Sequence, residues 1–300
     1  MVRLKKTFYA KDGPTLVVAL CIYTAWFSLL WWHAFIPWWL MMPCGAYVIA
    51  WHFSLQHEAI HAFAGIPAWL RLLVVFPPLG LWFPFPLYRK SHRTHHKDTD
   101  LTVPGRDTES YYVKQQDWPR LPVLMRVLLQ VNQTLLGRLT LGPLLRLYTL
   151  VKREYQRIRS GDFSHAPHWL VHAAAVSGVL WFAKGVCHMP ITTYIGLVAY
   201  PGMSLGLLRA FTEHKAADDY RERTAAVESN ALFSCLYLYN NLHVVHHLHP
   251  TMPWYEISRY YKSNRERLLA DNGVFVYRGY WQIVRRFFVR SVFAPRHPFI

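Results

Sequence analysis

The chain has 300 residues, of which 53% are hydrophobic, and a formal net charge of +16. Length alone allows one or two soluble domains, but long uncharged runs and 13 tryptophans point to a membrane protein instead. The four cysteines (Cys21, Cys44, Cys187, Cys235) form no CxxC pair, so we assign no disulfide, zinc ribbon or iron–sulfur site; no Gly-rich phosphate loop and no repeat of fixed period is present.

In chain order, the basic start with Arg3, Lys5 and Lys6 leads into an apolar stretch without a small-residue cleavage site, so no cleaved signal is expected. From Pro14 to His57 there is no Asp, Glu, Lys or Arg. A bilayer core needs roughly 20 apolar residues per helix, so this run predicts two spans, at about 15–33 and 38–61. The turn falls at Ala34–Pro37, flanked by Trp31, Trp32, Trp38 and Trp39 as at a headgroup interface. Residues 66–88 are apolar but carry Pro67, Pro77, Pro78, Pro84 and Pro86. Proline breaks helices, which favours a re-entrant or interfacial hairpin over a span.

Residues 118–158 mix arginines with leucines, the pattern of helices lying in the membrane surface, with a further pair of spans as the alternative. Two more uncharged runs, His165–Ala183 and Gly185–Leu208, predict spans at about 167–183 and 190–209 with a turn at Pro190. Lys184 is the one basic residue in the two short turns. The positive-inside bias therefore puts both termini and both large polar segments, 89–164 and 210–300, in the cytoplasm. The tail from Arg259 interleaves basic and aromatic residues, which suits anionic lipid first and an acidic redox partner second. A membrane-embedded chain argues against nucleic acid.

Nine of the 17 histidines fall at chemically telling positions. HEAIH places His57 and His61 at i, i+4, on one helix face at the end of the second span. HRTHH (His92, His95, His96) and HVVHH (His243, His246, His247) repeat the spacing i, i+3, i+4, and His214 follows the fourth span. Asn240, at i−3 from His243, shares that helix face. Every one of these is predicted at the same membrane face. Clustered neutral imidazoles bind transition metals, and nine exceed the four of a zinc site, so they suit two ions. Adjacency makes Glu58, Asp98, Asp100 and Glu213 the first candidates to orient the ligands, with Asp107 and Glu109 ranked below them. His52 and His249 are read as structural. His33, His165, His168, His172, His188 and His297 are read as interfacial or surface residues.

The motifs HEAIH, HRTHH and HVVHH, spread over about residues 15–255, resemble the three histidine boxes of the membrane fatty acid desaturase superfamily. NNLHVVHHLHPTMPW, from Asn240 to Trp254, resembles the last box of its bacterial branches. The resemblance implies a single all-α integral membrane domain over 1–300, with about four transmembrane helices. A cytoplasmic helical cap would hold a dinuclear metal site. It implies two iron ions, O2 as co-substrate, and His57, His61, His92, His95, His96, His214, His243, His246 and His247 as ligands. It also implies a lipid or lipid-like substrate and a separate electron donor such as a ferredoxin, rubredoxin or cytochrome. Some members carry an Asn four residues before the extra histidine, holding a metal-bound water. That position is Ala210 here, so Asn240 or Asn241 would take the role or it would be absent.

Several reactions fit the same site. We take desaturation first, with hydroxylation, carotenoid ketolation and alkene-forming decarboxylation as alternatives, because desaturation and hydroxylation diverge on ångström-scale substrate placement after one shared hydrogen abstraction. A His-rich metal transporter is the alternative of another class. Its site would be expected near the bilayer midplane, with ionisable residues inside the spans. A membrane cytochrome would need two axial histidines per haem in facing spans, which the three clusters do not match.

Overall fold

The structure, a computed structural model, describes residues 2–300, with side chains from Asp12 onward except Asp98. The basic start lies outside the described side chains. The helices are α1 (Val2–Trp31), α2 (Trp38–His61), α3 (Ala68–Val75), α4 (Phe85–His95), α5 (Val123–Val131), α6 (Leu135–Thr140) and α7 (Gly142–Arg159). They continue as α8 (Ala166–Trp181), α9 (Ile191–Tyr194), α10 (Tyr200–Ala210), α11 (Ala231–Leu236), α12 (His243–Leu248), α13 (Trp254–Asp271) and α14 (Tyr280–Phe287). Two short strands, β1 (Ala226–Val227) and β2 (Val276–Tyr277), pair in parallel. The chain forms two compact units, 1–89 with 146–206 and 90–145 with 207–300.

Among the described residues, three helical stretches are long and apolar enough to cross a membrane: Asp12–Trp31, Ala166–Val186 and Ile191–Ala210. The expected second span, α2, has the expected ends but falls outside this set. At 24 residues it is about 36 Å long, yet His52, Gln56, His57 and Glu58 lower the hydropathy of its second half. The first helix also starts well before the expected residue 15, running unbroken through Pro14. On α8, Leu170, Val171 and Trp181 are exposed, a surface that suits lipid better than water.

In the first unit the Pro-rich segment after α2 does not span. Its helix, α3, has 8 residues, about 12 Å. Irregular backbone among apolar helices needs donors for its carbonyls. The long helices provide them: Tyr194 donates to Leu79 O at 2.7 Å, His172 Nε2 to Leu81 O at 2.8 Å and Gln56 to Val75 O at 2.8 Å. Trp26 Nε1 donates in turn to the Tyr194 hydroxyl at 2.9 Å. His172 is therefore a buried strut and not the interfacial or surface residue expected. His165 bonds Glu154 at 3.0 Å.

A π-helical turn, Ile195–Ala199, interrupts the last span, and Trp82 Nε1 donates to the Ala199 carbonyl there. Small residues let α2 and α10 approach closely. A methyl at Gly202 would collide with the Ile49 side chain, whereas nothing lies within 4 Å of one at Gly196. Gly202→Ala is accordingly expected to cost about 1–3 kcal/mol by overpacking. Melting curves in detergent check this, with Gly196→Ala as the variant that should be far milder. Equal losses would disprove the close approach.

None of the helices within 118–158 is among the three spans. α5 exposes Val123, Leu124 and Val127, and α7 exposes Tyr148, Val151, Tyr155 and Ile158 at helical spacing. These are amphipathic helices of the kind that lie in a membrane surface.

The second unit is built around the pair β1 and β2. A buried cluster of Ala226, Leu242, Val244, Val245, Ile257, Tyr261, Leu268 and Leu269 packs α12 and α13 against β1. The tail is tied to the same unit. Val113 N donates to Pro295 O, Leu136 N to Phe288 O and Val292 N to Gln133 O. His297, expected at an interface or the surface, is 3% exposed and accepts from the Phe299 N–H.

Candidate metal centre

Three separate pieces of chain bring seven histidines together inside the second unit. α4 carries His92 and His95, with His96 one residue beyond its end. The spacing puts all three on one side. His214 leaves the end of α10 and pairs as an isolated bridge with Thr224. α12 carries His243, His246 and His247. Its position is fixed by backbone bonds to the strand region: Val244 N donates to Ala225 O at 3.0 Å, and Val227 N to Asn241 O at 2.8 Å. The Asn241 side chain adds a third bond, to Val227 O at 2.7 Å. The tight turn before α12 has Leu238 and Tyr239 at φ of 47° and 56°. Such left-handed non-glycine residues cost energy and persist where the surroundings fix them.

The inner nitrogens converge. His214 Nε2 lies 3.1 Å from His95 Nε2 and 3.1 Å from His243 Nε2. With His247 these rings form one set whose ligand atoms all lie within 4.8 Å of one another. In a second set, His96 Nε2 lies 3.0 Å from His92 Nε2 and 2.9 Å from His246 Nε2. The His96 and His247 rings stack at 4.4 Å between centroids, joining the two sets.

The outer nitrogens explain the orientation. His95 Nδ1 donates to buried Asp107 at 2.8 Å, and His92 Nδ1 to Glu109 at 3.1 Å. His214 Nδ1 donates to the Arg223 carbonyl at 3.3 Å, and His243 Nδ1 to Asn240 Oδ1 at 3.1 Å. Glu213 Oε1 is 3.3 Å from the same His243 nitrogen and 3.1 Å from Arg209. A neutral imidazole has one N–H. With it spent on the outer partner, the Nε2 of each of these four rings turns a lone pair inward, and the lone pair of His214, 3.1 Å from those of His95 and His243, is repelled by them unless a cation lies among them. Imidazole nitrogens bind transition ions at about 2.1 Å, so neighbours near 3 Å apart fit a shared ion. Outer carboxylates and carbonyls that fix the tautomer are the usual support of such ligands.

Electrostatics favour the neutral form of three of these rings. Burial lowers the pKa of His214 and His243 well below the ordinary value, helped by His95 and His247 on the first and by His247 and His214 on the second. Burial also lowers that of His92, against the pull of Glu109. On His95 burial is outweighed by Glu109, Asp107 and Glu213, and its pKa rises. Burial pushes Glu213 up to about 7, with Arg209 and His95 opposing.

The orienting acids differ from the order expected by adjacency. Asp107 and Glu109, ranked last, hold the rings; Glu213 stands beside His243. Asp100 instead meets Arg106 at 3.4 Å. The side chain of Asp98 lies outside the described residues. Glu58 is buried on α2 in the first unit. Asn240 faces the outer nitrogen of His243, not the cluster interior, and Asn241 braces β1. In the first unit, His57 and His61 lie one turn apart on α2 with ring centroids 5.2 Å apart. His52 is fully buried against Tyr23, and His249 bonds Tyr260 at 2.8 Å.

Comparison with curated proteins finds no match for the chain. The family model described as fatty acid desaturase matches residues 29–281, which takes in all three histidine boxes and His214. With most of its length matched, with helices apolar enough to cross a bilayer and with a histidine cluster suited to metal, this chain belongs to the fatty acid desaturase family.

Proposed function

We propose that the protein is a membrane oxidoreductase that uses O2 and two external electrons to place a double bond in an acyl chain of a lipid or lipid-like substrate. The observation that carries this reading is the convergence of seven inward-facing imidazole nitrogens, each set braced by carboxylates behind it. The set His95, His214, His243 and His247 offers four donors. The family resemblance adds His57 and His61 to the proposed ligand set.

Two iron ions would supply the oxidising power that side chains lack. The protein's own part is to hold neutral ligands in place, to fix their tautomers through Asp107, Glu109 and Asn240, and to keep the site buried. The reaction balances as –CH2–CH2– plus O2, two electrons and two protons giving –CH=CH– and two waters. The electrons come from a separate carrier protein. The positive-inside distribution assigns the site and both termini to the cytoplasm.

Two measurements test the reading. Purified protein should contain about two irons per chain and show no haem absorbance, following the two-ion count from the ligand inventory. Lipid profiles of a host expressing the chain with a donor should show a new double bond that a His96→Ala control lacks. A new hydroxyl group in its place would move the reaction to hydroxylation. Zinc with transport activity, or haem bands, would overturn the oxidoreductase.

A further inference from the structure

The second unit has a charged face that the metal centre leaves unused. α14 buries Tyr280, Ile283 and Phe287 and turns Trp281, Arg285 and Arg286 outward; Trp281 is 69% exposed. Arg278, Trp281, Gln282, Arg285 and Arg286 line a surface depression of about 430 Å³. It holds three guanidinium groups and no acid. Glu228, on which the Arg278 charge acts, is already held by Arg265 at 2.5 Å and by the Tyr261 hydroxyl at 2.8 Å.

Behind this face runs a short line of contacts to the cluster. Tyr280 adjoins Trp281 in the chain, and its ring centroid lies 5.4 Å from that of Tyr237. The Tyr237 carbonyl accepts from the Asn240 N–H at 2.9 Å, and Asn240 Oδ1 accepts from His243 Nδ1 at 3.1 Å. The charges of Glu213 and Arg209, both beside His243, act on the Tyr280 hydroxyl. That hydroxyl is buried with no hydrogen-bond partner among the described residues. Electronic coupling decays much more slowly through bonds, hydrogen bonds and ring contacts than through gaps. An electron arriving at Trp281 meets such a route all the way to His243.

Resting on the oxidoreductase reading above, we infer that the α14 face of Arg278, Trp281, Arg285 and Arg286 is the docking surface for a small acidic one-electron carrier protein. Two carrier molecules, each giving up one electron, supply the two electrons that the balanced reaction requires. Basic and acidic faces select the partner and speed its approach, and their attraction is screened by salt. The rings of Trp281 and Tyr280 make this face a better electron entry than a merely basic lipid contact.

The test uses metal-loaded protein in nanodiscs, with an acidic ferredoxin and an acidic rubredoxin as the probes. Arg285→Glu/Arg286→Glu should weaken binding of the carriers, and raise the KM for whichever one supports turnover, by about tenfold or more. Iron content and reaction with dithionite as reductant should stay at the level of the unmodified protein. Arg285→Ala/Arg286→Ala should fall between, and carrier binding to the unmodified protein should weaken as salt rises. Carrier binding equal in variant and unmodified protein would overturn the dock. So would failure of both carriers to bind the unmodified protein, or a loss confined to phosphatidylglycerol vesicles, which would mark a lipid-binding face. Binding judges the dock by itself. An unmodified protein that binds carriers but fails to react even with dithionite would count against the oxidoreductase reading, not against the dock.

Discussion

Replacing His214 by alanine is expected to strip one ion from the protein and to stop turnover. Its Nε2 is the shared neighbour of His95 Nε2 and His243 Nε2, at 3.1 Å from each. Its other nitrogen is tied to the Arg223 carbonyl, so the ring has one orientation and no slack. Truncation leaves three donors where there were four and opens a buried gap that water enters. Metal binding and folding are coupled, so iron should also raise the melting temperature of the variant less than that of the unmodified protein. Elemental analysis should fall from about two irons per chain to about one or fewer. His249→Ala is the matched control. That histidine follows the third box by two positions but bonds Tyr260 outside the cluster, so iron and turnover should survive its loss. Full iron occupancy in His214→Ala would remove the residue from the ligand set.

Asp107→Ala is expected to have the second-largest effect, although its carboxylate is not a ligand in this arrangement. One oxygen accepts from His95 Nδ1 at 2.8 Å and from the Glu109 N–H at 2.8 Å, and the other from the Thr102 N–H at 2.9 Å. The residue is 3% exposed. Removing it frees the His95 ring to rotate or change tautomer, a loss worth about 10–100-fold in metal affinity. It also strands backbone donors in a buried loop, at roughly 1–3 kcal/mol for each group left unsatisfied. Chelator competition should therefore show weaker iron binding, and metal-free protein should melt at a lower temperature. Asp107→Asn retains the shape and one acceptor oxygen and should lie between. Asp100→Ala, which loses only an exposed pair with Arg106, should change neither quantity. If Asp100→Ala and Asp107→Ala were equally harmful, the outer-shell assignment would be wrong.

Much of the centre was legible because its signals are local. The i, i+3, i+4 spacings of His92–His96 and His243–His247 put their rings on one side of a helix whatever the rest of the chain does. The uncharged runs after Pro14, His165 and Gly185 fix where apolar helices form, and the prolines of 66–88 bar a helix long enough to span there. α2 shows the limit of that reasoning. Its lack of Asp, Lys and Arg suggested a span as apolar as the others, while its polar second half, ending in HEAIH, sets it apart.

The sequence by itself determined which histidines are candidate ligands, because ligand type and helical spacing are properties of a few consecutive positions. Only the tertiary structure decided what stands behind them. Asp107 lies 12 residues from His95 and Glu109 lies 17 from His92, beyond any helical period. The Arg223 carbonyl reaches His214 only through the fold of its loop, and His172 and His297 are buried only because other segments pack over them. A turn of helix specifies its own faces through 3.6 residues per turn, but the orientation of a ring's outer nitrogen depends on which distant loop meets it, and that is settled by packing.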